Sequence, residues 1–316
     1  MNTKTDLFLE QLIKDASNDM EAPFSCTDIS SPGTQEKKDM IRSLMNIRVP
    51  RALSTELLQR QDAYLQEELA EKGIVRLPDI PTLNELQSCA DSADRISGTG
   101  SSPMKAIPEY PTGYPAKSPV KRQIRSYIAK KLSLWQGDIT RLNVGAIVNA
   151  ANSQMLGCFV PCHRCIDNAI HSAAGMQLRE ECHQIMTRKR AAYGANYEEP
   201  TGTATMTNAY NLPCDHVIHT VGPIVYGELT AEHCRSLQNC YENILNCCLE
   251  NHIRSVAFCC ISTGEFHFPN EKAAEIAIET VTSFLETHDA PMERIIFNVF
   301  TDRDRTIYER LLGLCA

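Results

Sequence analysis

The stretch AIVNAAN, from Ala146 to Asn152, opens as an apolar run with β-branched residues and ends in small and amide side chains. Such a short run is typical of a strand that is buried on both faces. Three later runs have the same character: HVIHTVG (216–222), SVAFCCIS (255–262) and RIIFNVF (294–300). A helical pattern at 234–252 separates the first of these three runs from the second, and another at 270–288 separates the second from the third. This alternation predicts an α/β fold with a mixed, largely parallel sheet between helix layers.

The chain before this region has helical periodicity instead. In STELLQRQDAYLQEELAEKG, Ser54 is a predicted N-cap, apolar residues recur three and four positions apart, and Gly73 is a predicted stop. Residues 97–119 are rich in Ser, Gly and Pro, which predicts a mobile surface loop. The change of character near Ile124 predicts a helical N-terminal extension over residues 1–123 and an α/β domain over 124–316.

The composition narrows the classes of partner and compartment. The 316 residues carry a net charge of −8, whereas nucleic acids and anionic membranes select basic surfaces. The sequence has neither a signal-peptide pattern nor an apolar segment near the ~18–20 residues of a membrane span. We therefore expect a cytoplasmic protein with no nucleic-acid or membrane partner. In that compartment the fourteen cysteines are expected to be buried side chains, ligands or nucleophiles rather than disulfides.

Two loops that lead from a strand into a helix carry the polar side chains. One follows Asn152, and the other is STGEFHFP, from Ser262 to Pro269. Ligands of open parallel sheets bind at the carboxyl ends of the strands. A loop of small residues before a helix presents backbone N–H groups to an anion such as a diphosphate. Two such loops on one sheet edge are a stronger indication of an anion site than either loop alone.

The first of these loops contains LGCFVPCHRC, residues 156–165, in which ligand-type side chains are dense. A catalytic zinc site takes three protein ligands and keeps one position open, whereas a structural site closes with four. Cys158, His163 and Cys165 supply three ligands, and Cys162 offers a fourth. The spacing alone leaves both kinds of site open.

Five motifs occur in the order found in macrodomains, and the chain resembles that family over roughly residues 134–308. The motifs are WQGDIT (135–140), AIVNAANS (146–153), IDNAIHSAAG (166–175), VIHTVGP (217–223) and ISTGEFHFP (261–269). The loop LGCFVPCHRCIDN and the helical N-terminal stretch are similar to those of the zinc-dependent macrodomains, a subclass of ADP-ribosyl hydrolases. This resemblance implies a macrodomain fold with a helical extension and a hydrolase that removes mono-ADP-ribose from proteins.

The resemblance also implies roles for single residues. Cys158, His163 and Cys165 match the ligands of one catalytic Zn²⁺ per chain, with Cys162 pointing away. Asn152 matches the residue that binds the distal ribose, and Asp167 matches an aspartate that acts as base or positions water. These two are the predicted catalytic residues, although Asp167 would also suit a helix cap or a partner of a zinc ligand. The remaining predicted ADP-ribose contacts are Asp138 at the adenine amino group, Ile139 beside it, and Ser262, Thr263, Gly264, Glu265 and Phe266 around the diphosphate. Phe300 is a predicted wall of the adenine or ribose site, with core packing as the alternative.

Three other functions fit parts of the pattern. A non-catalytic module that binds ADP-ribose needs no metal, so the three-ligand loop argues against it. A deacetylase of O-acetyl-ADP-ribose would use the same pocket. A zinc-stabilised interaction domain would have a closed four-ligand site and no nucleotide pocket. Hydrolysis of ADP-ribosylated proteins is the function that accounts for the loop and the pocket together.

Overall fold

The computed structural model describes residues 3–17, 32–88, 124–288 and 291–314. The Ser/Gly/Pro-rich stretch 97–119 lies outside these described residues. Within them, no helix combines the length and apolar character that crossing a bilayer requires. The cytoplasmic location stays a prediction.

The centre of the molecule is a six-stranded sheet of mostly parallel strands. Its spatial order is β2-β8-β7-β4-β6-β5, in which only the pairing of β5 with β6 is antiparallel. The strands are β2 (Leu132–Gln136), β4 (Ala146–Ala151), β5 (Ala204–Asn208), β6 (His216–Val221), β7 (Ser255–Phe258) and β8 (Arg294–Val299). The predicted macrodomain-type sheet between helices is therefore confirmed, and four of its strands match the predicted runs.

Helices cover this sheet. They are α4 (Ser126–Ala129), α5 (Ile166–Ala174), α6 (Met176–Tyr193), α7 (Ala231–Glu250), α8 (Asn270–Thr287) and α9 (Asp302–Leu311). In α7 the side chains of Leu237, Tyr241 and Ile244 are buried at the helical spacing of three and four residues. The main core lies between these helix faces and the sheet, whose central strand β4 buries Ile147 and Val148 completely.

The N-terminal part forms a helical bundle of α1 (Lys4–Ser17), α2 (Thr34–Ile47) and α3 (Thr55–Lys72). The predicted signals at the ends of α3 are both present, because the Ser54 side chain accepts the N–H of Leu57 and Gly73 ends the helix at φ 75°. The bundle has its own apolar cluster around Phe8, Leu12 and Ile41, which also includes Met176 of the α/β part.

The two parts are joined beyond that cluster. Strand β1 (Val75–Arg76) pairs in parallel with β3 (Leu142–Asn143), and the nearby Ile80 and Leu83 belong to the main core. The division at residue 123 stays a prediction. Because β2, β7 and β4 are near neighbours in the sheet, the loops at their carboxyl ends meet at one edge, where the predicted site residues lie.

Candidate active site

A cleft with a volume of about 1490 Å³ runs along the carboxyl edge of the sheet. The cleft is lined by the loops after β2, β4, β7 and β8 and by helices α2 and α3 of the N-terminal extension. Every predicted ADP-ribose contact and every predicted zinc ligand lies along this cleft. The predicted residues are therefore brought together, although they are separated by up to about half of the chain.

Asp138 and Ile139 line the cleft just after β2. The Asp138 Oδ1 accepts hydrogen bonds from the Thr140 backbone N–H at 3.0 Å and from its hydroxyl at 2.7 Å, which caps a 3₁₀ turn. Its Oδ2 lies 3.8 Å from the Lys72 ammonium of α3. Phe300 lines the cleft with 74% of its surface exposed, so it does not pack in the core. Asp138 thus presents one acceptor to the cleft, and Phe300 presents an exposed aromatic side chain.

The loop from Ser262 to Phe266 follows β7 and is folded by two internal hydrogen bonds, Phe268 N–H to Ser262 C=O at 3.0 Å and His267 N–H to Gly264 C=O at 3.0 Å. Among the described residues, the N–H groups of Gly264, Glu265 and Phe266 have no acceptor. Three free N–H groups in one turn form a suitable site for an anion. This is the chemistry predicted for the diphosphate.

Asn152 and Asp167 meet beside the end of β4. The Asn152 side-chain amide donates to Asp167 Oδ2 at 3.4 Å and to Gly157 C=O at 3.2 Å. The buried Asn149 donates to Asp167 Oδ1 at 2.8 Å. Burial raises the pKa of Asp167 to about 6, against the opposing hydrogen bond from Asn149 and the positive charge of Arg179. Asp167 does not cap α5, because that N-cap is Cys165.

Cys158, His163 and Cys165 form a compact group on the loop 156–165, which we call the ligand loop. Their potential ligand atoms all lie within 4.8 Å of one another. The Nδ1 of His163 is 3.6 Å from Cys158 Sγ, and its Nε2 is 3.6 Å from a carboxylate oxygen of Glu265. Burial raises the pKa of the Cys165 thiol to about 12, so a metal that binds here displaces this proton.

Cys162 lies outside this group. Its Sγ is 3.2 Å from Ser43 Oγ and donates to the Asp39 carbonyl at 3.4 Å, both on α2. Its φ of 53° falls in the left-handed region, which turns the side chain away from the neighbouring ligands. The loop thus offers three convergent donors.

A second group of ligand-type atoms, from His171, Cys182 and His219, is buried behind the site. Both ring nitrogens of His219 already have partners, Asn149 at 3.1 Å and Thr207 at 3.0 Å. Burial lowers the pKa of His171 well below its ordinary value, so this histidine is neutral. Its Nε2 lies 3.5 Å from Asp167 Oδ1, and neither ring nitrogen makes a hydrogen bond among the described residues. We interpret this group as part of the core that supports Asp167.

Two arginines that the sequence did not single out hold the ligand loop. Arg42 of α2 and the buried Arg179 of α6 donate to backbone carbonyls of this loop. Burial lowers the pKa of Arg179 to about 10, which leaves it charged near neutral pH. Its position three residues after the buried Met176 and three before the buried Cys182 was the available signal, because it places a charge on the inner face of α6.

Comparisons with known proteins agree with this geometry. The Macro domain family model matches residues 148–277. A protein-ADP-ribose hydrolase of Treponema medium is 43% identical over 88% of this chain and 88% of its own length. A protein-ADP-ribose hydrolase of Staphylococcus aureus is 45% identical over 57% of this chain. The match covers 65% of that relative's length.

Solved structures give the same result for the fold. An Oceanobacillus iheyensis macrodomain with ADP is 35% identical, with a TM-score of 0.52 over 58% of this chain and 90% of that one. A Trypanosoma brucei macrodomain in complex with ADP-ribose is 26% identical, with a TM-score of 0.55 over 86% of this chain and 95% of that one. With the sheet order, the cleft and the relative from Treponema medium, these matches show that the chain belongs to the macrodomain family.

Proposed function

We propose that this protein is a zinc-dependent hydrolase that removes mono-ADP-ribose from modified proteins. Its relatives are named protein-ADP-ribose hydrolases, and those names do not mention a metal. The observation that carries the proposal is the position of the three convergent donors. Cys158, His163 and Cys165 lie on the loop after β4, where Asn152 bonds the Gly157 carbonyl, and two strands separate β4 from β2, the strand that precedes Asp138. A ligand that spans this edge would present its adenine to Asp138 and its distal ribose to the donor group.

The donor set fits zinc. Two thiols and one imidazole are ligands that Zn²⁺ prefers, and three protein ligands are typical of a catalytic site. The turn of Cys162 toward α2 supports an open fourth position. When bound, Zn²⁺ would supply Lewis acidity at the distal ribose. The carboxylate of Glu265, 3.6 Å from His163 Nε2, would orient the imidazole ligand.

The remaining chemistry belongs to the side chains and backbone of the cleft. The free N–H groups of the loop 262–266 would bind the diphosphate, and Asn152 would orient the ribose hydroxyls. The bond between ribose C1 and the modified side chain breaks through an oxocarbenium-like state, water adds at C1, and a proton goes to the released side chain. Asp167 is the predicted base or water-positioning group, and its contacts with Asn149 and Asn152 fix its carboxylate.

The test is release of ADP-ribose from a mono-ADP-ribosylated protein, with and without a zinc chelator. We expect wild type to hydrolyse the bond only while it holds zinc. His163→Ala should abolish hydrolysis while ADP-ribose affinity and the melting temperature stay near wild type, because the predicted adenine acceptor and the diphosphate-binding N–H groups belong to other residues and do not require the imidazole. His252→Asn is the matched control, since His252 is exposed and does not line the cleft.

Each competing function gives a different result. Hydrolysis at the wild-type rate after complete zinc removal would contradict the role of the metal and leave Asp167 as the main reactive group. Tight ADP-ribose binding without any product would indicate a binding module. Acetate release from O-acetyl-ADP-ribose without protein de-modification would indicate the deacetylase.

A further inference from the structure

We propose that the N-terminal extension is a working part of the active site and that Arg42 is a positioning residue, which holds the ligand loop in the shape that zinc requires. This inference rests on the proposed function and names a component of it that lies outside the region matched by the Macro domain family model. Its basis is a set of contacts that ties the positions of all three donors to helix α2.

Arg42 connects α2 to two of the donor positions. Its Nη2 donates to the His163 carbonyl at 3.0 Å, while Nε and Nη2 donate to Asn168 Oδ1 at 3.0 and 2.7 Å. Asn168 in turn donates its backbone N–H to Cys165 Sγ at 3.4 Å and its side-chain amide to the Val160 carbonyl at 3.1 Å. One planar guanidinium therefore fixes the backbone of His163 and, through Asn168, the thiol of Cys165.

Arg179 connects the third donor position to the same helix. Its Nε donates to the Leu156 carbonyl at 2.7 Å, and its Nη2 donates to the Cys158 carbonyl at 3.5 Å. Its Nη1 donates to carbonyls at the C-terminal end of α2, which the helix itself leaves without partners. These acceptors are Met45 at 2.9 Å, Asn46 at 2.9 Å and Arg48 at 2.8 Å.

The side chain of Asn46 adds a third link. Its Oδ1 accepts the backbone N–H of Cys162 at 3.0 Å, and its Nδ2 donates to Ser172 Oγ of α5 at 3.0 Å. Asn46 is 1% exposed, so these hydrogen bonds replace contacts with water that it has lost. The left-handed turn at Cys162 is thus held against α2 by backbone and side chain together.

The ligand loop depends on these links because it has few of its own. Within residues 156–165 the described backbone pairs include one internal hydrogen bond, from His163 N–H to Val160 C=O at 3.2 Å. The loop has no helix or strand. A metal site needs donors held close to their final positions, and loss of an outer partner of a ligand typically costs about 10–100-fold in metal affinity or activity.

The experiment compares zinc-loaded, full-length wild type with Arg42→Ala and with Lys37→Ala. Lys37 lies on the same helix and pairs with Asp6 of α1 at 2.8 Å, so its loss removes an ion pair within the extension and leaves the loop contacts intact. Three quantities are measured: the rate at which a chromophoric chelator removes zinc, kcat, and the Kd for ADP-ribose. A fourth, amide hydrogen exchange of residues 156–165, is measured on zinc-free protein.

We expect Arg42→Ala to lose zinc about 10–100-fold faster, to lower kcat by a similar factor and to increase exchange in the loop. Its Kd for ADP-ribose should stay at the wild-type value, since Arg42 contacts neither the adenine end nor the loop 262–266. Lys37→Ala should match wild type in all four measurements. A merely structural role of Arg42 would instead leave zinc release and loop exchange equal to those of Lys37→Ala, which would overturn the proposal.

Two further arms keep the outcomes separate. If Arg42→Ala does not fold, Arg42→Gln is used, because the glutamine amide can still donate to one of the two acceptors. Its zinc release and loop exchange should then be faster than in wild type. Wild-type values of both would overturn the proposal. If wild-type hydrolysis proves independent of zinc, the proposed function fails, whereas loop exchange in zinc-free Arg42→Ala still decides the positioning role.

Discussion

The carboxylate of Asp138 serves the fold with one oxygen and has its other oxygen available at the cleft. Oδ1 caps the 3₁₀ turn through Thr140, whereas Oδ2 has, among the described residues, only the 3.8 Å ion pair with Lys72. A half-exposed pair at that distance contributes little to stability. The two roles can therefore be separated by substitution.

We predict that Asp138→Ala and Asp138→Asn both weaken ADP-ribose binding by about 1–3 kcal/mol, roughly 5- to 150-fold in Kd, because each removes the free carboxylate acceptor. Only Asp138→Ala should also lower the melting temperature, since the Asn side chain retains an oxygen for the Thr140 N–H and hydroxyl. Calorimetry and thermal melting measure the two effects. Unchanged affinity in both variants would show that adenine binds elsewhere.

A second prediction concerns the ligand set. Wild type should hold about one zinc per chain, and Cys162→Ser should hold the same amount, because a serine hydroxyl can keep the hydrogen bonds to Ser43 and the Asp39 carbonyl. Cys158→Ser should lose the metal. Elemental analysis after gentle purification provides the stoichiometry. Loss of zinc from Cys162→Ser would indicate a closed four-ligand site instead.

The sequence identifies the predicted metal ligands but not the residues that hold them in place. Cys158, His163 and Cys165 are identifiable because several soft ligands within one short loop are typical of a metal site. Arg42 has no such signature, since charges of both signs along an amphipathic helix ordinarily indicate a solvated face. Its role depends on where α2 packs, more than 100 residues from the loop in the sequence. Local patterns contain no information about that placement.

At the scale of elements, Gly222 limits the room available to the loop 262–266. Gly222 directly follows β6, and a Cβ at this position would overlap the Oγ of Ser262 and lie 2.9 Å from Ile261 Cγ2. Ser262 is 5% exposed and has a φ of 66°, so it has little freedom to move alone. A methyl group at this position would therefore displace the Ser262 side chain and press on the start of the loop 262–266.

We predict that Gly222→Ala weakens ADP-ribose binding by about tenfold, because overpacking strain of about 1–3 kcal/mol displaces the N–H groups of Gly264, Glu265 and Phe266. Gly33→Ala is the control, since a Cβ at Gly33 meets no atom within 4 Å and its φ is −67°. Titration calorimetry measures both variants. Wild-type affinity in Gly222→Ala would mean that the loop does not supply the diphosphate contacts.

The sequence predicted the interior strands of the sheet more readily than its edges. Strands β4, β6, β7 and β8 are buried and apolar, so their runs stand out. The edge strand β5, ATMTN at 204–208, is half polar because it pairs with only one neighbour. The other edge strand β2, LSLWQ at 132–136, alternates and ends directly in the Gly-Asp turn. Edge strands need less apolar surface, which makes their patterns weaker.

At the scale of the whole molecule, the extension and the α/β part share their interiors. Met176 of α6 lies in the apolar cluster of the bundle, while Ile80 and Leu83 from the N-terminal part lie in the main core. Arg141 also donates to the Gly73 carbonyl at 2.8 Å, beside the paired strands β1 and β3. Composition indicated a boundary near Ile124, but composition cannot report packing across it.

We predict that this shared packing makes the two parts unfold together. Phe8 is fully buried, with its ring 5.3 Å from that of Tyr64, and Phe8→Ala should destabilise the bundle by about 3–5 kcal/mol. The only tryptophan in the chain, Trp135, lies in β2 of the α/β part. In a cooperative molecule, thermal unfolding followed by Trp135 fluorescence must shift to lower temperature in Phe8→Ala, together with the loss of helical circular dichroism.

Tyr226→Ala is the control for this last prediction, because Tyr226 is 82% exposed and its loss should leave both transitions in place. An early loss of helical signal in Phe8→Ala with an unchanged fluorescence transition would show that the bundle unfolds independently. That result would also weaken the case for α2 as a support of the ligand loop, since an independently melting helix could not hold three donor positions at the temperature where the α/β part is still folded. Coincident shifts would instead mean that the bundle and the α/β part unfold as one cooperative unit, so that α2 keeps its contacts with the ligand loop as long as the α/β part is folded.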